Sequence, residues 1–158
     1  MKLIWLSDRI HLNKFGRMVL QDNYYAMKNG PIPSRAMDLS RKSQEDLFEV
    51  SEYIITSLVE SFDKRFFSKS DLDVMEQVWK DFGEKDGFIL SEISHKFPEW
   101  TRFKNEIQEK GSRFSVELED FFKCPDEFIK EYIYDSKVSE HSKGVFLTHK
   151  NIQSYLDS

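Results

Sequence analysis

The side chains of this sequence that could do chemistry are few and widely spaced. Four histidines stand at 11, 95, 141 and 149, and the single cysteine is Cys124. No two histidines lie three or four residues apart, the spacing that puts ligands on one helical face. Glu45, Glu49 and Glu52 share a helical edge, but no histidine joins them, and carboxylates on neighbouring turns are an ordinary solvated surface. Gly16 and Gly30 lack the spacing of a phosphate-cradling loop. Cys124 reads as a structural thiol, and nothing selects a nucleophilic Cys–His pair. No pair of carboxylates stands in a context that would raise one member's pKa. The pattern calls for no catalytic residue, no metal and no cofactor.

One polar constellation remains, Asp8-Arg9-x-His11. It falls inside Lys2 to Lys14, where Leu3, Leu6 and Ile10 repeat at helical spacing while Ile4, Trp5 and Leu12 lie elsewhere around the axis. A helix apolar on several sides is mostly buried, and charge inside a buried region persists only when paired. The three residues are therefore read as satisfying one another or capping nearby backbone rather than as a contact site. Phe15-Gly16 ends this helix, with glycine in the usual C-cap role.

The element that must position the rest is Arg17 to Ser34. Arg17–Gln21 and Tyr24–Lys28 flank Asp22-Asn23, a dipeptide that tolerates the positive φ of a two-residue turn, so a tight β-hairpin is predicted there. Asn29-Gly30-Pro31-Ile32-Pro33 then reads as a stiff extended elbow, because Pro31 and Pro33 fix φ and lack a donor. A positive φ is expected at Gly30.

Composition bounds the class. A chain of 158 residues with 14 Phe can bury a real core without staples. One cysteine forbids an intramolecular disulfide, and no apolar run is long enough to span a bilayer or follows a signal-peptide pattern, so a soluble cytoplasmic protein is expected. Residues 1–42 hold eight basic and three acidic residues, a net +5, against 15 basic and 25 acidic in the remainder, a net −10. The basic residues are scattered singly. They are read as packing beside acidic helices, with a nucleic-acid-binding regulator using this basic third as the alternative function.

Further on, Arg35–Lys42 reads as a short helix or turn. Ser43-Gln44-Glu45-Asp46 reads as the start of a core helix running to Phe62, with Leu47, Val50, Ile54 and Leu58 in one row. Arg65-Phe66-Phe67 is a candidate third strand beside the hairpin. Helices are predicted from Ser70, as N-cap, to Phe82, from Phe88 to Lys96 and from Trp100 to Glu109. Pro98 stops the second, and Trp100 folds back onto it. His95 reads as a hydrogen-bonded core or capping residue. Ser115–Lys123, Asp126–Tyr134 and a last stretch to Leu156 complete a helical C-terminal part. Its final apolar face, Val145, Phe146, Ile152, Tyr155 and Leu156, is expected to dock on the core, with partner binding as the alternative.

Several of these stretches, taken together, resemble a known family. Asp8-Arg9-x-His11, Gly16-Arg17 and Asp22-x-Tyr24-x-Ala26-Met27-Lys28-x-Gly30-Pro31-x-Pro33-Ser34, followed by Phe67-Ser68-x-Ser70-Asp71 and Ser94-His95-x-x-Pro98-x-Trp100, resemble the Panacea antitoxin family of SocA-like proteins. The resemblance covers about Leu3 to Trp100. It implies an antitoxin that binds and neutralises a cognate toxin protein without catalysis, and one branch is similar to adaptors that deliver a toxin to an ATP-dependent protease. The expected architecture is a mainly α single domain over 1–158 with a small β-hairpin, 1–100 being the family-like region and 101–158 helices packed on it. Arg17, Tyr24, Tyr25, Lys28 and Pro31 are the candidate partner-binding residues. Asp8, Arg9, His11, Asp22, Tyr24, Gly30, Pro31, Pro33, His95, Pro98 and Trp100 are family-motif positions read as structural.

Overall fold

A computed structural model of the chain describes residues 1–41, 48–51, 54–123, 125 and 135–156. The fold is mainly α with small antiparallel sheets, as expected. Helix α1 (Lys2–Phe15) is buried without interruption from Trp5 to Asn13, and Gly16 closes it at φ 71 with its N–H on Leu12 O. Strands β1 (Tyr24–Met27) and β2 (Gly30–Pro33) lead into helix α2 (Ser34–Ser40). A ribbon follows, β3 (Phe48–Ser51) with β4 (Ile54–Ser57), and then a 3-10 turn at Lys64–Phe66. Helices α3 (Lys69–Phe82), α4 (Gly87–Ser94), α5 (Pro98–Thr101) and α6 (Lys104–Lys110) precede strand β5 (Phe114–Ser115), a 3-10 turn at Leu118–Phe122 and helix α7 (Ser136–Leu156).

Helix α1 is the hub: α3, α4, α7, β2 and the 118–122 turn all pack on it. Trp5, Leu6, Ile10 and Leu12 enter the core with Tyr24, Val78, Phe97, Trp100 and Phe121 from the surrounding elements. Each such side chain contributes about 1.5–3 kcal/mol by leaving water. Helix α7 crosses close to the C-terminal end of α1. Small residues allow the approach: Ser139 and Ser142 are its buried positions, and a Cβ on Gly16 would stand 2.7 Å from Ser142 O. Ser139 Oγ donates to Asn13 Oδ1 at 2.6 Å, while Asn13 Nδ2 donates to the Arg9 and Phe121 carbonyls. The far end of α7 is different, with Ile152, Tyr155 and Leu156 at 52, 81 and 76% exposure. Only the first half of the predicted docking face docks.

The hairpin exists, but not where the turn residues put it. Its strands are Tyr24–Met27 and Gly30–Pro33, joined through Lys28-Asn29, and Arg17–Gln21 is not a strand. The proline-marked stretch is therefore the second strand and not the exit. Ser34 N–H donates to Asn23 O, which fixes the alternation of bonded pairs at 34, 32 and 30. Pro31 and Pro33 fall between them, where no N–H is required, and β2 is an edge of the β2–β1–β5 sheet. Asp22 serves α2 instead of a turn: its carboxylate accepts from Arg35 N and Ala36 N, both at 3.0 Å.

Four other expectations are corrected. The third strand is Phe114–Ser115, paired with Ala26 and Tyr25, and not Arg65–Phe67. The core helix expected up to Phe62 is replaced by the β3–β4 ribbon, in which Phe48 faces Ser57 and Val50 faces Ile55. Branched Val50, Ile54, Ile55 and Thr56 favour the extended form. Helix α3 starts earlier, with Ser68 as N-cap and Asp71 closing a capping box. Ser115–Lys123 forms a strand end and a 3-10 turn rather than a helix. The Ser43–Asp46 cap, Cys124 and the Asp126–Tyr134 helix lie outside the described residues.

Candidate protein-interaction surface

The polar residues of α1 do not satisfy one another; each ties the helix to a different distant segment. Asp8 accepts from Leu20 N and from Tyr24 Oη, both at 2.8 Å, and burial pushes its carboxyl up against the pull of those bonds. Burial, with Asp8 alongside, pushes the Tyr24 hydroxyl well above its ordinary range. Arg9 Nη1 meets Glu99 Oε2 at 2.7 Å, Arg9 Nη2 donates to Lys123 O, and Trp5 Nε1 donates to Glu99 Oε1 at 3.0 Å. The guanidinium lies 4.5 Å from the Phe97 ring centroid and 5.6 Å from that of Phe121. Burial pushes the Glu99 carboxyl up, and Arg9 opposes it.

His11 joins α1 to the start of α3. Its Nδ1 donates to Arg17 O at 2.8 Å, and its Nε2 stands 3.0 Å from both Ser70 Oγ and Asp71 Oδ1. Burial lowers its pKa, with the bond to Arg17 O and the Asp71 charge pulling the other way. Arg17 Nη2 closes the group on Asp71 Oδ1 at 2.8 Å. Burial would raise Asp71, but the Ser68 bonds and Arg17 outweigh it and hold this carboxyl below the usual range.

A second set of side chains clamps the hairpin tip. The Met27, Lys28, Asn29 and Pro31 carbonyls accept from Trp100 Nε1 at 2.9 Å, His95 Nε2 at 3.1 Å, Ser91 Oγ at 3.0 Å and Lys2 Nζ at 2.9 Å. His95 stacks on Trp100 with centroids 3.8 Å apart, and burial lowers its pKa. Gly30 takes φ 100 and faces Ser94. Gly30, His95 and Trp100, three positions of the family motif, thus meet at the hairpin tip.

Lys2 carries a pH prediction. Burial lowers its ammonium from the ordinary 10.5 to about 7. Between these values the unfolded chain holds a proton that the folded chain does not, so stability rises with pH across the window. The penalty is absent above about 10.5 and complete below about 7. Lys2→Met should flatten this part of a stability–pH profile measured by urea denaturation; an identical slope in both proteins would count against it.

Of the candidate partner-binding residues, two are withdrawn from the surface. Tyr24 is 1% exposed and Pro31 is buried, so neither can meet a partner. Alternation along β1 turns Tyr24 into the core, and Pro31 is covered by Lys2. Tyr25 is half-buried under Arg113, whose guanidinium carbon lies 4.9 Å from its ring centroid. Lys28 is exposed, and Arg17 is partly exposed while held by Asp71. No groups of His, Cys, Asp and Glu that could hold a metal occur among the described residues.

Two grooves were not foreseen. The larger, about 610 Å³, runs between the 16–21 segment, residues 116–119 and α7. The smaller, about 180 Å³, lies between α1, Val19-Leu20 and α3, beside the exposed Trp79. On α7 the larger groove uses Phe146, His149, Lys150 and Gln153, whose i, i+3, i+4, i+7 spacing was the available signal.

No curated protein and no solved structure matches the chain. No helix among the described residues is long and apolar enough to cross a membrane. A family model, that of the SocA-like antitoxin Panacea domain, matches residues 1–101. That span holds the α1 braces, the hairpin and all four groups that clamp its tip, and the chain belongs to the SocA-like, Panacea-domain antitoxin family.

Proposed function

We propose that this protein is a cytoplasmic antitoxin that binds a cognate protein toxin in a stoichiometric complex and neutralises it without catalysis. The family match over residues 1–101 carries the reading. The geometry supports it in one respect: the most reactive-looking groups of the matched region are engaged in holding the fold, His11 and His95 on backbone carbonyls and Arg9 on Glu99. Function then falls to the exterior, where a stable partner would cover about 800 Å². Tyr25, Lys28 and the exposed part of Arg17 remain candidates for that contact. Much of the basic first third is engaged within the fold, with Lys28 and Arg35 as exposed exceptions. Lys2 is bonded to Pro31 O, Lys14 to Gln77, and Arg17 and Arg41 are paired with Asp71 and Asp38.

Co-expression with the product of the adjacent reading frame tests the proposal. That product alone should arrest growth, and this chain should relieve the arrest and co-purify with it at a fixed ratio. Normal growth in both cases would overturn the reading. The toxin's half-life separates two routes: occlusion leaves it unchanged, whereas delivery to an ATP-dependent protease shortens it.

A further inference from the structure

The β3–β4 ribbon is the part of the described structure least committed to the fold. Its strands pair with each other, and no other element among the described residues makes an extensive contact with either. The register puts Phe48, Val50 and Ile55 on one face, since Val50 faces Ile55 and Phe48 faces Ser57, and puts Glu49, Ser51 and Thr56 on the other. Phe48 and Val50 are half-buried, but Ile55 is exposed, and so is every residue from there to Phe66. Leu58, Val59 and Phe62 are in that run. A two-stranded hairpin is marginal in water by itself and gains stability when its apolar face is covered. The body of the protein leaves this apolar side open.

Charge decides what can cover it. Between Lys42 and Lys64 the chain carries six acidic residues and no basic one. Asp63 is engaged by Arg65 at 2.7 Å, whereas the exposed Glu49 and Glu60 make no ion pair among the described residues. Free carboxylates set among exposed apolar side chains repel nucleic acid and an anionic lipid surface. They also oppose a second copy of the chain, which brings the same charges. Each strand of the ribbon keeps one open edge, and a charged residue there is a common guard against edge-to-edge pairing of copies. A basic protein surface is the occupant that suits both features, because it attracts the carboxylates and buries the apolar side chains together. We propose that this ribbon is a contact between the antitoxin and its toxin: Ile55, Leu58, Val59 and Phe62 enter apolar recesses on a lysine- and arginine-rich toxin surface, and Glu49 and Glu60 steer the encounter. This inference rests on the antitoxin reading and adds a contact surface and the charge of the partner that fits it. The ribbon lies within the family-matched span.

Binding kinetics of the full chain with the purified product of the adjacent reading frame, followed at low and high salt, test this. Glu49→Lys with Glu60→Lys should slow association about tenfold or more at low salt and remove most of its salt dependence. Glu84→Lys with Glu109→Lys makes the same change in net charge at exposed positions outside the ribbon and should slow association far less. Leu58→Ser with Phe62→Ser should speed dissociation about tenfold or more while leaving the melting temperature of the free chain unchanged, since both side chains are exposed there. Unchanged rates in both ribbon variants would sink the inference and leave the antitoxin reading standing. Failure of the wild-type chain to bind or neutralise would remove both. A wild-type dimer dissolved by Leu58→Ser with Phe62→Ser would assign the ribbon to a second copy and overturn the proposal.

Discussion

Arg9→Met is expected to destabilise the protein by about 3–5 kcal/mol, because it leaves the Glu99 carboxylate buried without its cation. Both side chains are essentially inaccessible, at 1% and 0% exposure, and their contact is 2.7 Å. After the substitution Trp5 Nε1 remains as a donor to Glu99, and the Lys123 carbonyl loses Arg9 Nη2. A loss of this size is a large share of the 5–15 kcal/mol that holds a typical domain together. Methionine keeps much of the contact with Phe97 and Phe121, so the missing charge dominates the change.

The pH dependence separates this account from simple loss of packing. Burial already pushes Glu99 up, and removing Arg9 removes the opposing attraction. The folded variant then holds a proton that the unfolded chain has released above the ordinary carboxyl range. Its stability should therefore fall as pH rises from that range toward neutrality, more steeply than in the wild type. Arg9→Met with Glu99→Leu should recover most of the loss, since replacing both members of a buried pair is often neutral or stabilising. Urea denaturation of the two single variants and the double variant gives the coupling directly. A single-variant loss below about 1 kcal/mol, or no recovery in the double variant, would reject the brace.

Helix α1 was legible because its apolar residues repeat at helical spacing and Gly16 follows at once. That Asp8, Arg9 and His11 lie in a buried helix was legible too, from apolar residues on several sides of its axis. Their partners were not. Arg9 reaches Glu99 and His11 reaches Ser70, 90 and 59 residues away, and no local pattern encodes such pairings. The hairpin shows how two good local rules can mislead. Asp22-Asn23 has turn chemistry, but Asp22 uses it on α2, and Pro31 and Pro33 look like strand breakers until an edge strand offers them bond-free positions. Phe48 to Ser57 satisfies both helical and alternating patterns, and one sequence cannot choose between them. The larger groove depends on α7 crossing α1 near Gly16, a long-range packing fact. Only the spacing of Phe146, His149, Lys150 and Gln153 announced its wall.

Gly30→Ala should cost about 2–5 kcal/mol, more than the ordinary cost of replacing a loop glycine. Two effects add. The backbone stands at φ 100, outside the comfortable range of an L side chain, which costs about 1–2 kcal/mol. The new Cβ would also overlap Ser94 Oγ and stand 2.8 Å from Lys2 Nζ and 3.1 Å from Ser94 Cβ, an overpacking worth about 1–3 kcal/mol. Ser94 is fully buried, with its hydroxyl bonded to Ser91 O at 2.7 Å, so it cannot easily swing aside. At about 2–4 °C per kcal/mol for a chain of this size, the melting temperature should fall by roughly 4–20 °C. Adding Ser94→Gly removes the overlapping atoms and should return the steric part while leaving the backbone part, so the double variant should melt above Gly30→Ala but below Ser94→Gly alone. Equal melting of Gly30→Ala and wild type would show that α4 does not press on the hairpin tip. The tip is thus positioned by α4 from one side and by Lys2 of α1 from the other, and the exposed Lys28 is presented on a rigid mount.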